Sequence, residues 1–256
     1  VGAAEDASKT VIEFDLIAEY KCPGTDAAYS TDGSATVSVR AAAMGFHAEN
    51  ITFQNYYNTH ERYLKSVEIA NALVPANESR KGNTMAVACL VQADMCVFDN
   101  VRFSSYHDTL YDYNGRHVYN NCFIEGRTDY VFGYGATSYF NNCTLNTIGA
   151  DDVKNGGYVC ATMGYSKYTP AGQTPTTVID YGYIFKGCTF TADSRVVDGT
   201  VSLARAWSSY MTLAFIECDI SSAYSKTAYG TKVDGKNERY GKMSSGEPDA
   251  ERLYEY

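Results

Sequence analysis

One short phrase recurs along the chain: an aromatic or apolar residue, two mostly polar residues, a small or apolar residue, a polar one, then Phe, Ile or Leu. It reads Phe98-Asp99-Asn100-Val101-Arg102-Phe103, then Tyr119-Asn120-Asn121-Cys122-Phe123-Ile124, then Phe140-Asn141-Asn142-Cys143-Thr144-Leu145. An earlier copy lies within His47–Phe53, and two later ones start at Phe185 and Phe215. The fourth position of each copy is Ile51, Val101, Cys122, Cys143, Cys188 and Cys218. Val101 to Cys122 and Cys122 to Cys143 both span 21 residues, and the longer intervals of 50, 45 and 30 leave room for loops or whole coils. Short strands separated by Asn- or Gly-rich corners at a period near 21 describe one coil of a parallel β-helix. Each coil then sets its marked residue about 4.8 Å above the last.

Composition agrees with a strand-built chain. Long runs of helix formers at 3.6 spacing are absent, whereas 23 Tyr and 11 Phe accompany plentiful Val and Thr, which predicts an all-β class. The 256 residues are read as a single solenoid domain, with two departures from the repeat. Residues 54–84 are expected as a loop excursion, and the polar residues 221–256 as a C-terminal wrap or cap over the open end.

Eight cysteines include no CxxC pair, so zinc-ribbon and thioredoxin readings have no support. The repeat places Cys122, Cys143, Cys188 and Cys218 in one inward column of small side chains; disulfides among them are the alternative. Asn50, Asn77 and Asn142 each begin an Asn-x-Ser/Thr triplet, with Asn50 and Asn142 expected to hydrogen-bond at coil corners instead of carrying glycans. A net charge of -9 and a pI near 4.9 argue against nucleic acid as a partner. No run of 18 apolar residues predicts a membrane span. The chain opens at Val1 without a basic-then-apolar leader, as expected of a processed chain or a piece of a longer one.

The repeat also aligns polar residues. Asp108 and Asp129 are 21 residues apart, hence at one angular position on successive coils. Two adjacent carboxylates resist double ionisation, so one holds a proton. An acid beside a base suits ester or glycoside hydrolysis. The blander reading is a solvated pair of strand-end aspartates.

The flanking residues favour chemistry. The run His107–Gly133, HDTLYDYNGRHVYNNCFIEGRTDYVFG, resembles the central signature of pectin methylesterases, in which QDTLY, GR, Y/F-x-x-C-x-I-x-G and TVDFIFG follow in order. GFHAENITFQN (Gly45–Asn55), MAVACLV (Met85–Val91) and LARAW (Leu203–Trp207) are similar to further segments of that family. The resemblance covers roughly residues 35–220 and implies a right-handed parallel β-helix that needs neither metal nor cofactor. Carried over by position, it makes Asp129 the nucleophile on a methyl-ester carbonyl, Asp108 the acid and later base, and Arg205 the hydrogen-bonding partner of the nucleophile. Tyr111 and Trp207 fall on aromatics of the sugar cleft. Two positions depart from the family: Met85 and His107 stand where it has glutamines that stabilise the oxyanion. His107 retains ring nitrogens able to donate, and Met85 has no donor.

What the resemblance implies is an esterase on methyl-esterified homogalacturonan or a related cell-wall polysaccharide, acting in a secreted or cell-surface setting. The competing readings are a non-catalytic β-helix that binds polysaccharide or serves assembly, and a lyase or glycosidase. A calcium-dependent lyase needs clustered carboxylates. The only further doublet, Asp151-Asp152, reads as a solvated turn. About 33 residues precede the SATVSV segment, fewer than in the family, so an uncovered first coil is expected to present an edge for self-assembly.

Overall fold

The computed structural model describes residues 1–25, 27–73, 84–152, 156–166, 178–179, 181–228, 230, 238–243 and 246–256. Within them the recurrent phrase becomes the corner between two sheets. Among the described residues three parallel sheets hold seven strands each, and each coil gives one short strand to each sheet in turn. Successive regular coils are in strict register: Cys96 lies opposite His117, Asn114 opposite Gly135, and Phe123 opposite Thr144. Each of these pairs is one period of 21 apart, so the sequence repeat is the strand register. The chain is a right-handed parallel β-helix.

Two columns of side chains set by the repeat fill much of the interior. The first phrase position stacks Phe98, Tyr119, Phe140, Phe185 and Phe215, with successive ring centroids 4.9, 4.6, 4.6 and 5.1 Å apart and nearly parallel planes. Such pairs contribute about 0.5–1.5 kcal/mol each beyond their area burial. The fourth position is the thiol column. Cys122, Cys143, Cys188 and Cys218 are free, and each Sγ donates to the carbonyl of an aromatic residue one coil earlier: Phe98, Tyr119, Phe140 and Phe185, at 3.2–3.4 Å. Ile51 and Val101 continue that column toward the N-terminal end.

Between them sits the corner itself. Asn50, Asn100, Asn121, Asn142 and Glu217 all have φ between 50° and 55°, and Gly187 takes φ 61° at the same position. This left-handed turn re-aims the chain from one sheet to the next, and Asn and Gly are the residues that tolerate it. The Asn100 amide also donates to Asn50 Oδ1 at 2.8 Å, so asparagine ties neighbouring coils as well as turning them. Asn77 lies outside the described residues.

Two segments differ from expectation. Residues 54–84 hold an α-helix, His60–Leu73, where a loop was anticipated. Its buried side chains are only Ser66 and Ala70, so no apolar stripe marked it in the sequence. The C-terminal residues also extend the sheets instead of merely covering them. Tyr240–Lys242 pairs with Val201–Ala206, and Leu253–Glu255 with Leu213–Ile216. At the other end Val11–Phe14, Val37–Val39 and His47–Glu49 are the outermost strands of their sheets, and Val11, Ile12 and Phe14 are exposed.

Candidate active site

One sheet positions the site. Its strands Leu110–Asp112, Thr128–Gly133, Gly157–Thr162 and Val201–Ala206 are consecutive neighbours, with Tyr111 opposite Phe132, Phe132 opposite Ala161, and Cys160 opposite Ala204. Arg205 therefore projects from the same outer face as Tyr111 and Phe132, two coils beyond Phe132. Just before these strands His107 bridges to Thr128, and the ladder between Thr128 and Val131 is bulged. The bulge turns Asp129 out of the regular alternation. Asp108 and Asp129 both adopt left-handed backbone, φ 62° and 51°, a conformation that Asp tolerates better than most residues.

The result is a cleft of about 340 Å³ lined by all seven residues singled out from the sequence: Met85, His107, Asp108, Tyr111, Asp129, Arg205 and Trp207. Asp108 and Asp129 are 7% and 4% exposed, too little for the solvated strand-end pair of the blander reading. Arg205 Nε donates to Asp129 Oδ1 at 2.7 Å, and its Nη2 donates to Oδ2. This forked, charge-assisted pair matches the carboxylate form. The guanidinium also lies 4.5 Å over the Tyr158 ring. Burial works against the Arg205 charge, but the hydrogen bonds and charge of Asp129 outweigh it and raise the arginine's pKa.

Asp108 is in the opposite situation. Burial, then the charge of Asp129, push its pKa well above the usual carboxylate range, against a smaller pull from Arg205. The two carboxyl groups are thus separated in role by environment alone: one is forked by an arginine, the other is driven to hold its proton. His107 is buried too, and burial lowers its pKa despite the nearby charge of Asp129. Its Nδ1 is 2.7 Å from Thr84 O and its Nε2 3.5 Å from Asp108 Oδ1. One donor atom from each of His107, Asp108 and Asp129 fits within 4.8 Å, the spacing of a cation site. Both Asp129 oxygens, however, already receive hydrogen bonds from Arg205.

An aromatic strip forms the adjoining wall. Tyr111 stacks on Phe132 at 4.1 Å, Tyr113 meets Tyr134 edge-on at 4.9 Å, and Tyr134 lies 5.1 Å from Trp207. Ring faces of this kind suit the apolar faces of sugar rings. Phe132, Tyr134 and Met243 line the cleft but escaped sequence reasoning. Tyr134 had a usable signal, because it lies one period after Tyr113; Met243 had none. Met85 also lines the cleft, and its side chain offers no donor.

Comparisons with known proteins bear on descent and fold. A pectinesterase family profile matches residues 63–234. Probable pectinesterase A of Neosartorya fischeri is 30% identical over 229 residues, covering 88% of this chain and 57% of that protein. The chain spans about half the length of the curated relatives it matches. Among solved structures, a pectin methylesterase from Yersinia enterocolitica superposes with a TM-score of 0.68 at 22% identity, covering 98% of this chain and 81% of that one. The carrot pectin methylesterase does so with a TM-score of 0.60 at 22% identity, covering 98% and 70%. The structural likeness speaks for the fold and the profile for descent: this chain belongs to the pectinesterase family.

Proposed function

We propose that the chain is a carboxylic ester hydrolase that removes methyl esters from an acidic polysaccharide of the homogalacturonan type. The carrying observation is the division of labour between Asp129, forked by Arg205, and Asp108, whose proton burial and Asp129 retain. In this reading an Asp129 oxygen attacks the ester carbonyl. The tetrahedral intermediate collapses as Asp108 gives its proton to the departing methoxide, releasing methanol and leaving an acyl-Asp129 anhydride. Asp108, now a carboxylate, takes a proton from water. The hydroxide adds to the substrate's acyl carbon, Asp129 leaves as a carboxylate, and the freed substrate carboxylic acid gives its proton to solvent. Arg205 offsets the charge returning to Asp129, and Tyr111, Tyr134 and Trp207 seat the sugar rings. Hexasaccharide complexes of a pectin methylesterase of the same fold support a polymeric substrate.

The oxyanion is the weak point. Met85 supplies no donor, and losing one commonly costs about 3 kcal/mol, or on the order of 10²–10³-fold in rate. That observation favours one second reading, a cleft that binds the polymer without cleaving it. A cell-wall polymer also implies work outside the cell. Self-assembly through the exposed Val11–Phe14 strand accompanies the proposal and is tested by sedimentation, where a monomer at high concentration removes it.

Methanol release from highly methyl-esterified pectin, by wild type and Asp129→Ala over a range of pH, tests the reading. Release that falls on the order of 10⁴-fold or more in the variant establishes esterase and nucleophile together. No release from folded wild type, with retention on a pectin column, gives the cleft to binding.

A further inference from the structure

The imidazole in the cleft has a fixed tautomer. Thr84 O can only accept, so the contact of 2.7 Å requires the proton to sit on His107 Nδ1. In neutral His107 this leaves Nε2 as a bare lone pair, and that nitrogen is the one facing Asp108 Oδ1 at 3.5 Å. Neutral His107 therefore cannot replace the missing glutamine amide as a hydrogen-bond donor to the cleft. It is built as an acceptor. The groups around it are few: Tyr63 of the helix meets the ring edge-on at 6.1 Å, and Asp108, Asp129 and Arg205 supply the nearby charges. The Asp108 carboxyl makes no side-chain hydrogen bond among the described residues, so the His107 Nε2 approach at 3.5 Å is open to tighten, and it is more than nine-tenths buried.

Resting on the esterase reading, we infer that His107 and Asp108 form a carboxyl–imidazole dyad in which His107 Nε2 is the second seat of Asp108's proton. Its use falls in the second half of the reaction. Water gives its proton to the Asp108 carboxylate as the hydroxide adds to the acyl carbon. The proton passes to His107 Nε2, leaving Asp108 ionised and His107 as an imidazolium. Nε2–H is then a charged donor beside the Asp108 carboxylate while the second oxyanion exists, in a cleft where Met85 offers no donor. When the oxyanion collapses and Asp129 leaves, the proton returns to Asp108, which starts the next cycle as an acid. No proton is gained or lost beyond the one supplied by water. Burial of His107 favours its neutral form and so drives that return.

The test has two arms. In the free chain, ring ¹⁵N shifts of His107 in wild type and Asp108→Asn report tautomer and coupling without any substrate. The expected result is an Nδ1–H tautomer at neutral pH and a His107 titration displaced by about one pH unit or more in the variant, the mark of interacting sites. An Nε2–H tautomer, or a titration unmoved by Asp108→Asn, overturns the dyad. The second arm is methanol release by His107→Gln, which restores a neutral donor but cannot take a proton. A burst of methanol stoichiometric with enzyme, then a steady rate reduced on the order of 10²-fold, is expected if deacylation needs the second seat. An unchanged or faster steady rate without a burst overturns its catalytic use. If wild type releases no methanol, the esterase reading falls, and the ¹⁵N measurements still decide the dyad.

Discussion

Two aspartate–histidine pairs lie within a few coils of each other, and the fold treats them in opposite ways. In the cleft, His107 gives one nitrogen to Thr84 O and turns the other, without a hydrogen-bond partner among the described residues, toward Asp108. In the interior, Asp112 and His117 are saturated. His117 Nδ1 is 2.5 Å from Asp112 Oδ1, and its Nε2 is 2.8 Å from Ala93 O. Tyr119 Oη donates to Asp112 Oδ1 at 2.8 Å, and Ser138 Oγ donates to Oδ2 at 2.5 Å. A carbonyl and a carboxylate both ask for N–H, so this imidazole carries two protons. Burial alone would lower the His117 pKa, yet the charge and hydrogen bond of Asp112 prevail and raise it. The same residue types therefore make a fixed ion pair where every valence is met and a movable proton where one is left open.

The largest break in this contrast is expected from Asp112→Asn. Removing one charge of a fully buried pair strands the other, at about 3–5 kcal/mol. Urea unfolding checks it, and a loss below 1 kcal/mol would mean that Asp112 is replaceable packing. Met85→Gln sharpens the cleft side by adding a neutral donor there. Its expected outcome is a gain in kcat on the order of 10²-fold with the fold unaltered, read by methanol release. Asp108→Asn reverses the sign seen in the core. It removes the cost of keeping a proton on a buried carboxyl that ionises freely once the chain unfolds, and raises stability by about 0.5–2 kcal/mol, while the rate collapses.

The smallest effect is a pH dependence. His117 has a raised folded pKa, so its contribution is fully present below the unfolded value of 6.5 and is lost as pH rises through the folded value. His107 has a lowered one, so its contribution is present above 6.5 and is lost as pH falls through the folded value. The stability difference between wild type and His117→Asn should shrink with rising pH, and that for His107→Gln should shrink with falling pH. Unfolding midpoints from pH 5 to 9 read both slopes; parallel slopes would contradict the assignment.

Much of this contrast was invisible in the sequence, for a definite reason. The period of 21 is a property of backbone register, so it announced the coils, the inward thiols and the stacking of Asp108 on Asp129. Arg205 and Trp207 lie more than seventy residues beyond Asp129 and became legible only through the LARAW segment. Asp112 and His117 are five residues apart on two different sheets, and nothing in DYNGRH says that both point inward. Nor does the spacing of Thr84 and His107 reveal that a backbone carbonyl chooses the tautomer. The helix His60–Leu73 was missed because its fully buried residues are only Ser66 and Ala70, and Tyr63, stacked on Tyr106, is a single aromatic contact and not a stripe.

The column of free thiols gives the molecule a way to report its own unravelling. Burial raises the thiol pKa of Cys143 in that column and of Cys89, Cys96 and Cys160 on the other two sheets, so in the folded chain they react slowly with alkylating reagents. A solenoid opens from wherever its coils peel, and each cysteine marks a known coil. Half-exposed Cys218, next to the last strands, should gain label fastest if the C-terminal end frays, and buried Cys89 and Cys96, one coil in from the outermost strands, if the other end does. Brief alkylation pulses followed by mass spectrometry would turn an ordinary packing column into a time-ordered record of which end lets go.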